Sequence, residues 1–248
     1  MVKGYIFLDF DGTLRTDDKR ITDRTKEALR MAEKAGYFPV VCSGREKDAV
    51  AKIRQEIGAG RYVIFNNGAG IYDCEKWKVL HFNPIKVDAV HALVDIALQY
   101  RDIYFSFPPP FATQINIQSH NKDVMKKIEN QIAAVPSIKI VNMHKGMLSD
   151  DWAKSEEYST RFYYDICDEK TNKRYGVQKF CEILGVDPAD CVAMGDSIND
   201  VSMLQYVGTG VAMGNGVPEL KKIATEVTDT NNYDGVAKFI EKFIGGIK

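Results

Sequence analysis

Short apolar runs that end abruptly in polar residues alternate with stretches in which apolar residues recur every three or four positions. The first run, Ile6-Phe7-Leu8, stops at Asp9, Asp11, Gly12 and Thr13. Runs of this length suit strands buried on both faces of a sheet. Ile21, Ala28, Leu29, Ala32 and Ala35 form a helical stripe over 21–35, closed by Gly36. A second buried strand is predicted over 37–42, running into Ser43, Gly44 and Arg45 and then a helix over 46–57. A third, 62–65, ends in Asn66, Asn67 and Gly68.

From Pro84 the pattern changes. Val87, Val90, Val94, Ala97 and Leu98 mark an amphipathic helix, followed by strand-like 104–107, a turn FPPPF and strand-like 113–118. A helix over 121–134 and strands over 138–141 and 161–167 complete an α-β-β-α-β-β order, with His144 and Lys145 in a loop. Its alternation predicts an antiparallel sheet with helices on one face. After Glu169 the buried-strand pattern resumes: a helix over 175–184 stopped by Gly185, then a strand over 191–194 ending in Gly195, Asp196 and, four residues on, Asp200. A strand over 209–213, a helix from Pro218, an edge strand near 226–228 and a helix over 233–244 follow. The fold expected is α/β: a doubly wound parallel sheet from residues 1–83 and 169–248, with 84–168 an inserted α+β domain.

Composition adds mainly exclusions. A net charge of −1 over 248 residues leaves no basic footprint for nucleic acid or an anionic membrane. No apolar stretch approaches the ~20 residues of a membrane span, and MVKGYIFLDFDG is too acidic for a signal peptide. The five cysteines lack a C-x-x-C pair and read as small apolar residues of a reducing cytoplasm; zinc is not expected.

The chemistry lies at the strand ends. In a doubly wound sheet the carboxyl ends of the strands share one edge, where ligands bind. Strand alternation would put Asp9 and Asp11 on one side, with Phe10 packed opposite. Close carboxylates repel, and keeping both ionised calls for a hard cation such as Mg2+. One could attack phosphorus and the other move protons, although a merely solvated turn fits D-x-D-G-T alone. An EF-hand is excluded, because Gly12 falls too early and Arg20 holds the twelfth position. Ser43 with backbone N–H groups at a strand-to-helix turn suits phosphate, or else simply caps the helix. Lys173 would balance phosphoryl charge, with Asn199 as a neutral helper; alone it would read as a surface lysine.

DFDGT (9–13), CSGR (42–45), Lys173 and GDSIND (195–200), in that order, resemble the four-motif set of the haloacid dehalogenase-like phosphatases. The 84–168 insertion resembles the long cap of the Cof-type sugar-phosphate phosphatases, as do NNGA (66–69), VAMGNG (211–216) and DGVA (234–237). The resemblance implies a Mg2+-dependent phosphatase with Asp9 as nucleophile and Asp11 as acid and base. The implied phosphate contacts are Asp11, Gly12, Ser43, Gly44, Lys173 and Asn199. The metal would be held by Asp9, the Asp11 backbone carbonyl and Asp196, supported by Asp200 and Asn199. Ser43 stands where threonine is commoner, and Arg174 where glycine usually follows the lysine.

The expected substrate is a small phosphomonoester, a sugar phosphate first, with pyridoxal phosphate, flavin mononucleotide or nucleotides also open. Candidates for reading its leaving group are Arg45, Asn67, Gln114, Asn116, Arg161 and Tyr163, though solvent exposure of a polar sheet face explains the last four equally. The short connections at 83–84 and 168–171 suit a hinge that closes the insert over substrate. A phosphosugar mutase or a phospho-accepting signalling module remains the competing reading.

Overall fold

The computed structural model describes residues 2–106, 112–145 and 161–246. It divides into two compact units, Met1–His81 with Asn172–Lys248, and Phe82–Thr171. The first contains β1 (Gly4–Leu8), α1 (Asp23–Ala35), β2 (Tyr37–Cys42), α2 (Lys47–Ile57), β3 (Tyr62–Phe65), β4 (Gly70–Asp73) and nearly all of β5 (Lys78–Phe82). The second holds α3 (Val87–Ala97), β6 (Tyr104–Ser106), β7 (Ile115–Ser119), α4 (Lys122–Ile132), β8 (Ile138–Lys145) and β9 (Phe162–Asp168). The chain returns to the first unit through α5 (Lys173–Leu184), β10 (Val192–Gly195), α6 (Val201–Leu204), β11 (Thr209–Ala212), α7 (Pro218–Ile223), β12 (Glu226–Val227) and α8 (Gly235–Gly245).

The large sheet runs β12-β11-β10-β1-β2-β3-β4-β5. Its pairs from β12 to β3 are parallel, and β4 turns back antiparallel to β3. The order reverses between β1 and β10, whose register sets Leu8 beside Met194. A crevice opens at such a reversal, beyond the carboxyl ends of the strands.

The β1 run is apolar throughout because both of its faces are covered. Ile6 and Leu8 belong to one buried layer with Leu29, Val50 and Ile240, whereas Tyr5 and Phe7 face Val177, Phe180 and Leu220. Phe180 meets Tyr5 and Phe7 edge-on at 4.8 and 5.3 Å between ring centroids. These layers fix where β1 and β10 end, and so where their acids emerge.

The second unit is a four-stranded antiparallel sheet in the order β6-β7-β9-β8. Ile115, Ile117, Tyr164 and Ile166 pack on Leu93 and Ile96 of α3 and on Met125 and Ile128 of α4. Three local expectations need correction. Strands β4 and β5 had no counterpart in the sequence reading. His144 and Lys145 lie within β8, where the pairing with β9 runs to Lys145 opposite Phe162. Lys173 opens α5, capped by the Asn172 side chain, which accepts from the Tyr175 N–H at 2.9 Å. The FPPPF turn lies outside the described residues. No described helix is long and apolar enough to cross a membrane.

Candidate active site

Asp9 is the first residue past β1, and its N–H donates to the Met194 carbonyl of β10 at 3.0 Å. Its side chain therefore emerges at the reversal of strand order. Carboxylate oxygens of Asp9, Asp196 and Asp200 lie within 4.8 Å of one another. Lys173 Nζ reaches this cluster from the first turn of α5, bonding Asp9 Oδ1 and Asp200 Oδ1. Asp200 is anchored on its other oxygen as well: Oδ2 accepts the N–H groups of Asp196 (3.1 Å) and Ser197 (3.0 Å). The free acceptor capacity of the cluster thus lies mostly on Asp9 and Asp196.

Two glycines permit the approach. At Gly12 the backbone is left-handed (φ +81°), and an added Cβ would stand 2.3 Å from Asp196 Oδ2. A Cβ on Gly195 would stand 2.4 Å from the Asp200 carboxyl carbon.

Burial dominates the electrostatics. It pushes Asp9 well above its ordinary value, against the pull of Lys173 and with help from Asp200 and Asp196. Asp196 is pushed up to about 6 by burial and by Asp200. Burial alone would lower Lys173, but Asp200 and Asp9 outweigh it and hold the ammonium above its ordinary value. A set of three carboxylates, all oxygen donors with one lysine among them, matches what a hard divalent cation such as Mg2+ takes. Such an ion would relieve the mutual repulsion of the acids.

Asp11 does not join this cluster through its carboxylate. Arg45 binds it in a fork, Nε to Oδ2 and Nη2 to Oδ1, both 2.9 Å, and Arg15 Nη2 adds a third contact at 2.9 Å. Strand alternation ends at Leu8, so the turn through Gly12 gives Asp9 and Asp11 different partners. Phe10 is buried as expected, with the guanidinium carbons of Arg45 and Arg15 at 5.0 and 5.2 Å from its ring centroid.

Ser43 is buried after β2, and its Oγ accepts the Arg45 N–H at 3.3 Å. The Ser43 carbonyl receives the Asn67 N–H at 3.0 Å. Asn199 Nδ2 donates to Asn67 Oδ1 at 3.4 Å. Asp9, Ser43, Gly44, Asn67, Lys173, Asp196, Asn199 and Asp200 are thereby joined at one edge of the sheet.

Gln114, Asn116, Arg161 and Tyr163 belong to the second unit. Asn116 bonds Asp165, and Arg161 Nε donates to His120 Nε2 at 3.1 Å while its guanidinium lies 3.7 Å from the Tyr104 ring centroid. Arg161, Tyr163 and Gln114 are all under a tenth exposed, so solvation does not explain this polar face.

Asn215, within the VAMGNG motif, and Asn231 had no role assigned from the sequence. Asn215 Nδ2 donates to the Gly12 carbonyl at 2.8 Å, and its Oδ1 accepts the Asn231 N–H at 3.0 Å. Asn231 Nδ2 in turn reaches the Arg15 carbonyl at 3.0 Å. Together they tie the loop after β1 to the C-terminal segment. The available signal was glycine-flanked Asn215 at a strand end, in the same position as the other site residues.

A family model described as haloacid dehalogenase-like hydrolase matches residues 6–147 and 111–240. The chain is 30% identical to 5-amino-6-(5-phospho-D-ribitylamino)uracil phosphatase YitU of Bacillus subtilis, over 96% of both proteins. It is 28% identical to pyridoxal phosphate phosphatase YbhA of Escherichia coli, over 97% of this chain and 98% of that one. A crystal structure of a haloacid dehalogenase-like hydrolase from Bacteroides thetaiotaomicron superposes with a TM-score of 0.80 at 23% identity, covering 98% of this chain and all of the other.

Proposed function

The chain belongs to the haloacid dehalogenase-like hydrolases, and on that premise we propose that it is a Mg2+-dependent phosphatase of a small phosphorylated metabolite, acting through an aspartyl-phosphate on Asp9. The observation that carries this reading is the buried Asp9 at the strand-order reversal, bonded to Lys173, with Asp196 and Asp200 within 4.8 Å.

In the first step a free carboxylate oxygen of Asp9 forms a bond to phosphorus as the ester P–O bond breaks. Asp11 gives its proton to the departing alkoxide, which requires the Arg45–Asp11 fork to open when substrate enters. In the second step Asp11 takes a proton from water, whose oxygen bonds to phosphorus while the acyl-phosphate bond breaks and Asp9 is restored. Lys173 and Ser43 hold phosphoryl oxygens through charge and hydroxyl, with the N–H groups of Gly12 and Gly44 as further donors. Mg2+ would be held by Asp9, Asp196 and the Asp11 backbone, supported by Asp200, and would supply positive charge against the phosphoryl oxygens.

A sugar or sugar-alcohol phosphate is the proposed substrate, in keeping with the phosphoribityl compound named for the Bacillus relative. The polar groups of the second unit, Gln114, Asn116, Arg161 and Tyr163, are the proposed source of selectivity among esters. Purified protein with Mg2+ should release inorganic phosphate from members of a phosphate-ester panel, and chelation should abolish the release. Transfer of phosphate to a second sugar without release would identify a mutase instead, and no turnover of any ester would sink the reading.

A further inference from the structure

Asn67 carries a buried amide with one end satisfied and the other open. The residue is 3% exposed, and Nδ2 has no hydrogen-bond partner among the described residues. Leaving a buried donor unpaired is costly. An amide held in this way calls for an acceptor that arrives from outside.

The fold around it is built to hold it still. Asn66, Asn67 and Gly68 are all left-handed (φ 47°, 55° and 98°), a turn that asparagine and glycine accept and bulkier residues resist. The Asn66 N–H bonds the Arg45 carbonyl at 2.9 Å and the Asn67 N–H bonds the Ser43 carbonyl at 3.0 Å, stitching this turn to the loop after β2. A Cβ on Gly44 would stand 3.0, 3.1 and 3.3 Å from Nδ2, Oδ1 and Cγ of Asn67, so glycine there leaves room for the amide.

A chain of donors reaches the other end of this amide. Ser197 Oγ donates to Asn199 Oδ1, and Asn199 Nδ2 donates to Asn67 Oδ1. In this arrangement Nδ2 is the unused atom of Asn67. It lies beside Ser43 and Gly44, at the sheet edge where Lys173 meets Asp9 and Asp200. A neutral donor there suits an oxygen that already carries negative charge.

We infer that Asn67 Nδ2 donates to a phosphoryl oxygen, both in the ester and in the orthophosphate product. This rests on the phosphatase reading above and assigns Asn67 to the phosphoryl group rather than to the leaving group.

Two variants test it. Asn67→Gly keeps the left-handed backbone and deletes the amide. Asn67→Asp keeps the shape and the acceptor for Asn199 while replacing the donor with a repelling oxygen. The readouts are competitive inhibition by orthophosphate, kcat/KM on two esters with unlike leaving groups, and Tm. The inhibition constant for orthophosphate should rise about tenfold or more in Asn67→Gly and further in Asn67→Asp, as expected for loss of a hydrogen bond to a charged group. Both esters should suffer alike, with a cooperative unfolding transition retained by at least one of the variants. Orthophosphate inhibition within twofold of the parent in both folded variants, or a defect confined to one ester, would overturn the assignment while leaving the phosphatase reading intact. A parent protein that neither hydrolyses esters nor binds orthophosphate would remove both.

Discussion

Lys173 Nζ lies 2.5 Å from Asp200 Oδ1, and neither side chain retains any exposed surface. Asp200 has no solvent to fall back on if the ammonium is removed. Breaking one side of a buried pair typically costs about 3–5 kcal/mol, because the remaining charge is uncompensated. Lys173→Met should lower the unfolding free energy by roughly that amount in urea titrations. Adding Asp200→Asn should recover part of the loss, since the amide oxygen can still accept the Asp196 and Ser197 N–H groups. Turnover should stay two to three powers of ten below the parent in both, as lost charge stabilisation predicts. A double variant no more stable than the single one would show that the pair is not coupled by charge.

Asp9→Asn retains the shape of the site and removes the attacking oxygen. The loss of turnover should exceed that of Lys173→Met, and acid-quenched samples mixed with a labelled ester should contain no phosphoprotein. Undiminished labelling would move the nucleophile elsewhere.

The Gly12 position tests the acid cluster separately from the nucleophile. Alanine there would meet both a strained φ and Asp196 Oδ2 at 2.3 Å from its Cβ. Asp196 is the element most readily displaced, so Gly12→Ala should raise the Mg2+ concentration needed for half-maximal activity at least tenfold, measured by metal titration. An unchanged metal requirement would mean that Asp196 is not a ligand.

The strand ends were legible because doubly covered strands leave an apolar signature that stops where the chain meets solvent. Asp9, Ser43 and Asp196 sit at such stops, and the sheet brings them together. Strands β4 and β5 left no such mark. Gly70–Asp73 is too short to show a period, and its pairing with β3 follows from the left-handed turn at Asn66–Gly68; Lys78–Phe82 is a partly exposed edge. The Arg45–Asp11 fork was equally invisible, since 34 positions separate the two residues and only the β1–β2 pairing brings them close. Arg45, read as a leaving-group contact, grips the proposed acid in this structure.

Asp73 supplies an acid-side test remote from the chemistry. Its carboxylate accepts Arg61 Nε and Nη2 at 3.0 and 2.6 Å and the N–H groups of Glu75 and Lys76, closing the turn between β4 and β5. The Arg61 hydrogen bond, aided by these N–H groups, holds its carboxyl below the ordinary value despite burial. A carboxyl depressed in the folded state adds stability above its unfolded value, near 3.9, and loses it as pH falls through the folded value. Parent protein should therefore lose stability on acidification below about pH 4 more steeply than Asp73→Asn. Identical acid limbs in the two unfolding profiles would assign the contact no role in acid stability.

Asn215 offers the sharpest separation of positioning from binding. Its amide clamps the Gly12 carbonyl from one side and the Asn231 N–H from the other, both of them backbone groups rather than the side chains of Asp9, Asp196 or Lys173. Removing it should loosen the loop that carries Asp11 and Gly12 without deleting a charge. Small misplacements of reacting groups cost up to about two powers of ten in rate. Asn215→Ala should accordingly lower kcat by about ten- to a hundredfold, with KM and orthophosphate inhibition within a few-fold of the parent. Asn215→Asp keeps the acceptor for Asn231 but sets a carboxylate oxygen against the Gly12 carbonyl, so it should be no better than alanine. Asn232→Ala, which cuts bonds to the carboxylate and the N–H of exposed Asp17, farther along the loop from the acids, should cost little. Equal rates for Asn215→Ala and Asn232→Ala would mean that the Asn215 amide does not position the loop.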